Sequence, residues 1–248
     1  MAAAELTRLG LRVTGACAWL DLAHARTLNR DSVATLTTAL RAAEAAPGCR
    51  VLVLTASGPV FCAGLDLGIV AGELPWERAD GTALGELLRG LRDSRLITVA
   101  AVEGQATGGG VGLAAACDLV FAGERARFRM TELLLGLTPA LILPYVAQRT
   151  GRQWAYRAAL YATEVSPVAA VAAGLADEAP AGEDGIRSAV RALLRALRRT
   201  PRDVVTELKT CRAQSVADAN LAYDLLRAGL ADPAVRERIA ELRAAGMR

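Results

Sequence analysis

Lysine and histidine are nearly missing from this chain of 248 residues: Lys209 is the only lysine and His24 the only histidine. A Schiff-base mechanism would have Lys209 alone to draw on, and a histidine base His24 alone. Cysteine is sparse and scattered, as Cys17, Cys49, Cys62, Cys117 and Cys211. The odd number, the wide spacing and the absence of a C-x-x-C pair exclude a disulfide framework and leave no cysteine and histidine set for zinc. No run of about 18 uncharged apolar residues is present, which argues against a membrane span. The opening MAAAELTRLG has no long apolar run behind a basic start, so no signal peptide is expected and the cytoplasm is the expected setting. Charge of one sign is also scarce. The net charge is +3, carried by scattered arginines, and nucleic-acid binding finds no support in it. What the chain does have is 53% hydrophobic residues, enough for a substantial core and too many for a disordered state.

The pattern of those residues indicates an α/β fold. Leu11 to Leu22 alternates in part and reads as a strand. Asp31 to Ala46 starts on a capping residue and stops before Pro47-Gly48, as a helix does. Arg50 to Thr55 and Ile97 to Val102 are short continuous apolar runs of the kind that form strands buried on both faces. Asp80 to Asp93 reads as a helix, Gly108 to Cys117 as a helix with a glycine-rich start, and Asp118 to Ala122 as a strand. Strands alternating with helices predict partly parallel pairing. From about Ser166 the character changes. Segments 183–199, 201–216, 218–229 and 232–245 read as amphipathic helices separated by Pro, Gly or a capping Asp. The expected division is a core over residues 1–180 and a helical region over 181–248 that packs on the core or on a neighbouring subunit.

Two segments share one construction. Val51 to Leu54 leads by a loop to Phe61-Cys62-Ala63-Gly64-Leu65-Asp66, and Ile97 to Val102 leads to Glu103-Gly104-Gln105-Ala106-Thr107-Gly108-Gly109-Gly110. In each, a buried strand delivers the backbone to a glycine-containing turn at a helix start. Such a start leaves amide N–H groups unpaired and favours negative charge. Two converging turns could offer two N–H donors to a developing oxyanion. Each turn alone is equally well read as an ordinary strand-to-helix junction. Gly108, Gly110 and Gly112 have the wrong spacing for a dinucleotide fingerprint, and there is no G-K-[ST] for a phosphate loop.

FCAGLD followed by VEGQATGGGVGLAAACDLVFAGERARFRMTELLLGL resembles the crotonase (enoyl-CoA hydratase/isomerase) superfamily, and the likeness runs from LDLAHARTLN into the helical tail. The resemblance implies a spiral core of ββα turns with a C-terminal α-helical region, assembled as trimers or pairs of trimers. It also implies an acyl thioester substrate, on CoA or phosphopantetheine, with no cofactor and no metal. The thioester oxygen would lie between the backbone N–H groups of Leu65 and Gly109, with Ala63, Gly64, Asp66, Gly108 and Gly112 around the substrate. Of the two glutamates of typical hydratases, one is present as Glu132. The other position holds Gly112, a departure from the two-glutamate pattern.

The stretch MTELLLGLTPALILPYVAQRTGRQWAYRAALYATEVSP and the ending LADPAVRERIAELRAAG are similar to one branch of that superfamily, the stand-alone dehydratases of polyketide β-branching cassettes. That resemblance implies removal of water from 3-hydroxy-3-methylglutaryl on an acyl carrier protein. Glu132 is the candidate base, acid or both in sequence, and the expectation adopted is that it handles both proton transfers. Gly112 would then leave room for the 3-methyl branch. A distal carboxylate calls for an arginine, with Arg78, Arg129, Arg149 and Arg152 as candidates. His24 is expected to be an ordinary loop residue, Asp66 to orient its turn or touch substrate, Asp118 to be structural and Cys62 to be a small buried group. Alternatives are a hydratase, isomerase or decarboxylase on free CoA thioesters, or a non-catalytic scaffold that binds carrier protein.

Overall fold

In the computed structural model, residues 3–70, 74–182 and 184–213 are described. The chain opens with helix α1 (Ala3–Arg8), then strands β1 (Leu11–Thr14) and β2 (Cys17–Asp21), then helix α2 (Arg30–Ala45). Next come β3 (Val51–Thr55), β4 (Val60–Cys62), and helices α3 (Leu67–Val70) and α4 (Arg78–Asp93). They are followed by β5 (Ile97–Val102), β6 (Gln105–Thr107), α5 (Gly109–Ala116), β7 (Leu119–Ala122) and β8 (Arg127–Arg129). Helices α6 (Leu143–Thr150), α7 (Arg152–Tyr161), α8 (Pro167–Ala173), α9 (Gly185–Leu197) and α10 (Arg202–Ala213) complete the described chain.

Two sheets grow in step. One has the order β1-β2-β3-β5-β7 and the other β4-β6-β8. Apart from the antiparallel β1–β2 hairpin, every pairing is parallel. Each turn of the spiral thus places one strand in the first sheet and the next in the second, as β3/β4, β5/β6 and β7/β8. The apolar runs are continuous because the first sheet is covered on both faces. Leu52, Leu54, Ala100 and Val102 point into the larger core, which also holds Leu84, Leu87, Leu88 and Leu91 of α4. Their neighbours Val51, Val53, Val99 and Ala101 point the other way, onto Ile186 and Val190 of α9. Helix α5 is buried on nearly every side, which explains why its sequence GGVGLAAA carries no polar stripe.

Several expectations change on contact with the structure. The segment Leu11 to Leu22 is a hairpin, because Gly15 takes φ +58° and reverses the chain between β1 and β2. Helix α2 is capped by Asn29, which exchanges hydrogen bonds with Ser32, and Asp31 lies inside the first turn. Strands β4, β6 and β8 have three residues each, too few for a period to show in the sequence. Helices α6, α7 and α8 precede the expected helical tail. Asp118 is structural, as expected: its Oδ2 accepts from the Thr98 amide at 2.8 Å and the Thr98 hydroxyl at 3.1 Å.

Met1–Arg202 forms one compact unit, and a second begins at Asp203, of which residues 203–213 are described as the rest of α10. The helices expected over 218–229 and 232–245 lie outside the described residues.

Candidate active site

The short parallel sheet organises the site. Because β4, β6 and β8 run the same way, their C-terminal ends lie side by side. The first leads into residues 63–66, the second into Gly108 and Gly109, and the third into Met130, Thr131 and Glu132. Residues 26–28 bind the first of these segments along its length. Ala63 N donates to Arg26 O at 2.7 Å, Leu28 N to Gly64 O at 2.7 Å, and Asp66 N to Leu28 O at 3.0 Å. The Leu65 amide falls between these bonds, and no acceptor for it is found among the described residues. Gly108 N donates to Arg129 O at 2.8 Å, while the Gly109 amide sits in the first turn of α5, also without an acceptor among the described residues.

The two amides are neighbours. A β-carbon built on Gly109 would stand 3.5 Å from Gly64 Cα and 3.8 Å from Leu65 N. Gly64 has φ +84°, and a β-carbon there would meet Thr107 O at 2.7 Å and Gly109 N at 2.9 Å. Only glycine permits both that backbone geometry and that approach. Asp66 steadies the same loop. It accepts from Thr27 Oγ1 at 2.9 Å, Gly68 N at 3.0 Å and Asn29 Nδ2 at 3.5 Å, and these bonds hold its carboxyl below the usual range. Thr27 and Asn29 were not apparent as site residues in the sequence. Their signal is their place in T-L-N just ahead of α2.

Glu132 reaches the glycine turn from the end of β8. Its Oε1 lies 3.1 Å from where a Gly108 β-carbon would stand, and its Oε2 is buried with no hydrogen-bond partner. Burial pushes its pKa up, opposed by the nearby backbone amides of Glu132 and Thr131. A carboxylate desolvated in this way is a stronger base than one in water, which suits it to proton transfer. Exposed leucines follow it in the chain, at 133, 134, 135 and 137.

The room expected beside Gly112 is taken by the side chain of Ile142. A β-carbon on Gly112 would stand 2.2 Å from Ile142 Cγ2 and 2.7 Å from its Cβ. Gly112 is buried, and Ile142 is only 3% exposed. Nothing in the sequence linked these two residues, which are 30 positions apart.

Two of the four candidate arginines are committed elsewhere. Arg129 Nε donates to Ala162 O at 2.7 Å. Arg149 donates to Leu175 O at 2.9 Å and Cys117 O at 3.1 Å, and pairs with Asp177. Arg78 and Arg152 are exposed. Cys62 is buried beside the turn, with burial pushing its thiol up to about 11, unlike an activated nucleophile. The His24 side chain lies outside the described residues. Among the described residues no group of His, Cys, Asp and Glu is arranged to hold a metal, and no helix is long and apolar enough to cross a membrane.

The chain is similar to known proteins of one family. The profile of the enoyl-CoA hydratase/isomerase family matches residues 20–232. The chain is 33% identical to enoyl-CoA hydratase ACTT6 of Alternaria alternata over 67% of its own length and 51% of that protein's. It is 34% identical to the bacillaene synthase dehydratase PksH of Bacillus subtilis over 54% of its own length and 53% of PksH. These matches span about half the length of the curated relatives. A crystal structure of an enoyl-CoA hydratase/isomerase from Marinobacter aquaeolei superposes with a TM-score of 0.75 at 28% identity, covering 94% of this chain and 90% of that one.

Proposed function

The chain belongs to the enoyl-CoA hydratase/isomerase family, and from that premise we propose that it removes water from a 3-hydroxyacyl thioester. The proposed substrate is 3-hydroxy-3-methylglutaryl on an acyl carrier protein, and the product is the 3-methylglutaconyl thioester of polyketide β-branching. The observation that carries the reading is the juxtaposition of one desolvated carboxylate, Glu132, with two unpaired amides, Leu65 and Gly109. The thioester oxygen accepts from both amides. Glu132 takes the α-proton, and the electron pair of that C–H bond passes into the enolate, whose oxygen the amides stabilise. The enolate then expels the β-hydroxyl, which leaves as water with the proton that Glu132 returns. Each amide is worth about 2.7–4 kcal/mol in the transition state, and the proton transfer about 10²–10⁴-fold.

The leucines after Glu132 suit the acyl portion, and Ala63, Gly64, Asp66 and Gly108 surround the thioester in this reading, while Gly112 lies beneath Ile142. Exposed Arg78 and Arg152 remain for the distal carboxylate. The similarity to PksH, a dehydratase of bacillaene synthase by its name, supports the carrier-bound substrate. A cytoplasmic homotrimer or hexamer acting without cofactor or metal completes the proposal.

A second reading is favoured by the similarity to ACTT6, an enoyl-CoA hydratase by its name: the same groups running hydration on free CoA thioesters. Intact mass spectrometry separates the two. Carrier protein loaded with 3-hydroxy-3-methylglutaryl, the corresponding CoA thioester and crotonyl-CoA are incubated in parallel. Loss of one water from the carrier-bound acyl group, abolished in Glu132→Gln, supports the dehydratase. Hydration of crotonyl-CoA alone assigns the second reading. No turnover of any of the three by a folded protein leaves only a binding role.

A further inference from the structure

Gly108 is the residue just before α5, and Gly112 lies in its first turn, four positions on. The Glu132 carboxylate covers the first and the Ile142 side chain the second, so the two ends of segment 132–142 rest at the start of the same helix. Between these ends Pro139 is buried and Leu137 N donates to Glu132 O at 2.9 Å, but most side chains face outward. Leu133, Leu134, Leu135, Leu137 and Leu141 are all exposed, and the short 3-10 turn after Glu132 has no buried residue of its own. Ile142 is the opposite case. It is buried at 3% exposure, its amide donates to Pro139 O at 3.2 Å, and its carbonyl accepts from Tyr145 N at 3.0 Å and Val146 N at 3.2 Å.

We infer that Ile142 is the positioning residue of the catalytic loop: seated in the notch at Gly112, it anchors the far end of the segment whose near end presents Glu132. The same seating closes α5 to a second carboxylate, because any side chain at 112 starts inside Ile142. The site is thereby restricted to chemistry that one carboxylate performs. This inference rests on Glu132 as the proton-transfer group.

The test is a cycle of Gly112→Ala, Ile142→Gly and the double variant, with Ile142→Val as the conservative replacement. Urea midpoints and kcat and KM are measured on whichever thioester the wild type turns over. A methyl at 112 overlaps Ile142 in the wild-type background and fills the vacated notch in the Ile142→Gly background. Gly112→Ala therefore lowers the urea midpoint in the first and raises it in the second. Ile142→Gly lowers kcat by tenfold or more with KM within about twofold, since it displaces the proton-transfer group rather than the amides that bind the thioester. Ile142→Val restores at least half of the wild-type kcat. A Gly112→Ala effect of the same sign in both backgrounds overturns the notch, and an Ile142→Gly variant with wild-type kcat overturns the positioning role. A wild type inactive on every thioester defeats the functional reading, and the positioning role with it.

Discussion

Replacing Gly64 by alanine tests the construction of the oxyanion site most directly. The new methyl would stand 2.7 Å from Thr107 O and 2.9 Å from Gly109 N, both backbone atoms that cannot rotate aside, at a φ of +84°. The backbone conformation costs an L-residue about 1–2 kcal/mol, and crowding adds about 1–3, so the loss of stability is about 2–5 kcal/mol. Gly48 supplies the control. It has φ +76° with nothing within 4 Å of a β-carbon, so Gly48→Ala carries the backbone cost of about 1–2 kcal/mol alone. Relief of the clash must push Gly109 away from residues 63–65, which separates the two amides. Loss of one oxyanion donor lowers kcat by about 10²–10³-fold. Urea unfolding of both variants, with kcat on the active thioester, reads the two consequences independently. A Gly64→Ala variant as stable as Gly48→Ala and undiminished in kcat would refute the close approach of the two turns as the basis of the site.

Three further outcomes follow from the same structure. Burial holds the Glu132 pKa above its unfolded value, so its cost to stability is absent below the unfolded pKa and fully present above the folded one. The wild type accordingly loses stability as pH rises across that window, and Glu132→Gln, measured by thermal unfolding at several pH values, removes that part of the slope; an unchanged slope contradicts it. Arg149→Met leaves Leu175 O and Cys117 O without their charged donor and breaks the pair with Asp177, costing about 2 kcal/mol or more in urea unfolding; a loss under about 0.5 kcal/mol, typical of an exposed arginine, rules it out as a structural tie. Among the five cysteines only Cys211 is exposed, so a thiol reagent applied to the folded protein adds once by mass, and adduct formation on Cys62 before unfolding would revive it as a nucleophile.

Much of the site was legible because it is encoded locally. Glycines 64, 108 and 109 announce backbone turns at helix starts, apolar runs such as Val51 to Leu54 announce buried strands, and a glutamate after Phe128 and Met130 stands out against the apolar sequence around it. The family likeness added which of these meet. The alternation of Val51, Val53 and Leu52, Leu54 between two cores was also implicit, since a strand apolar at every position requires cover on both faces.

Tertiary structure alone decided the rest. Strands β4, β6 and β8 are too short to carry a period, yet their parallel pairing is what aligns residues 63–66, 108–109 and 130–132 at one edge. The support of Asp66 by Thr27 and Asn29 joins positions about forty apart, and the seating of Ile142 at Gly112 joins positions thirty apart. In the sequence Gly112 could only appear as a lost carboxylate and a vacant space. Local propensity and hydrophobic period depend on neighbours along the chain, and so the sequence by itself determined the elements and the chemistry they carry. Which side chain fills which notch depends on packing at close to crystalline density between segments remote in sequence, and that only the folded chain decides.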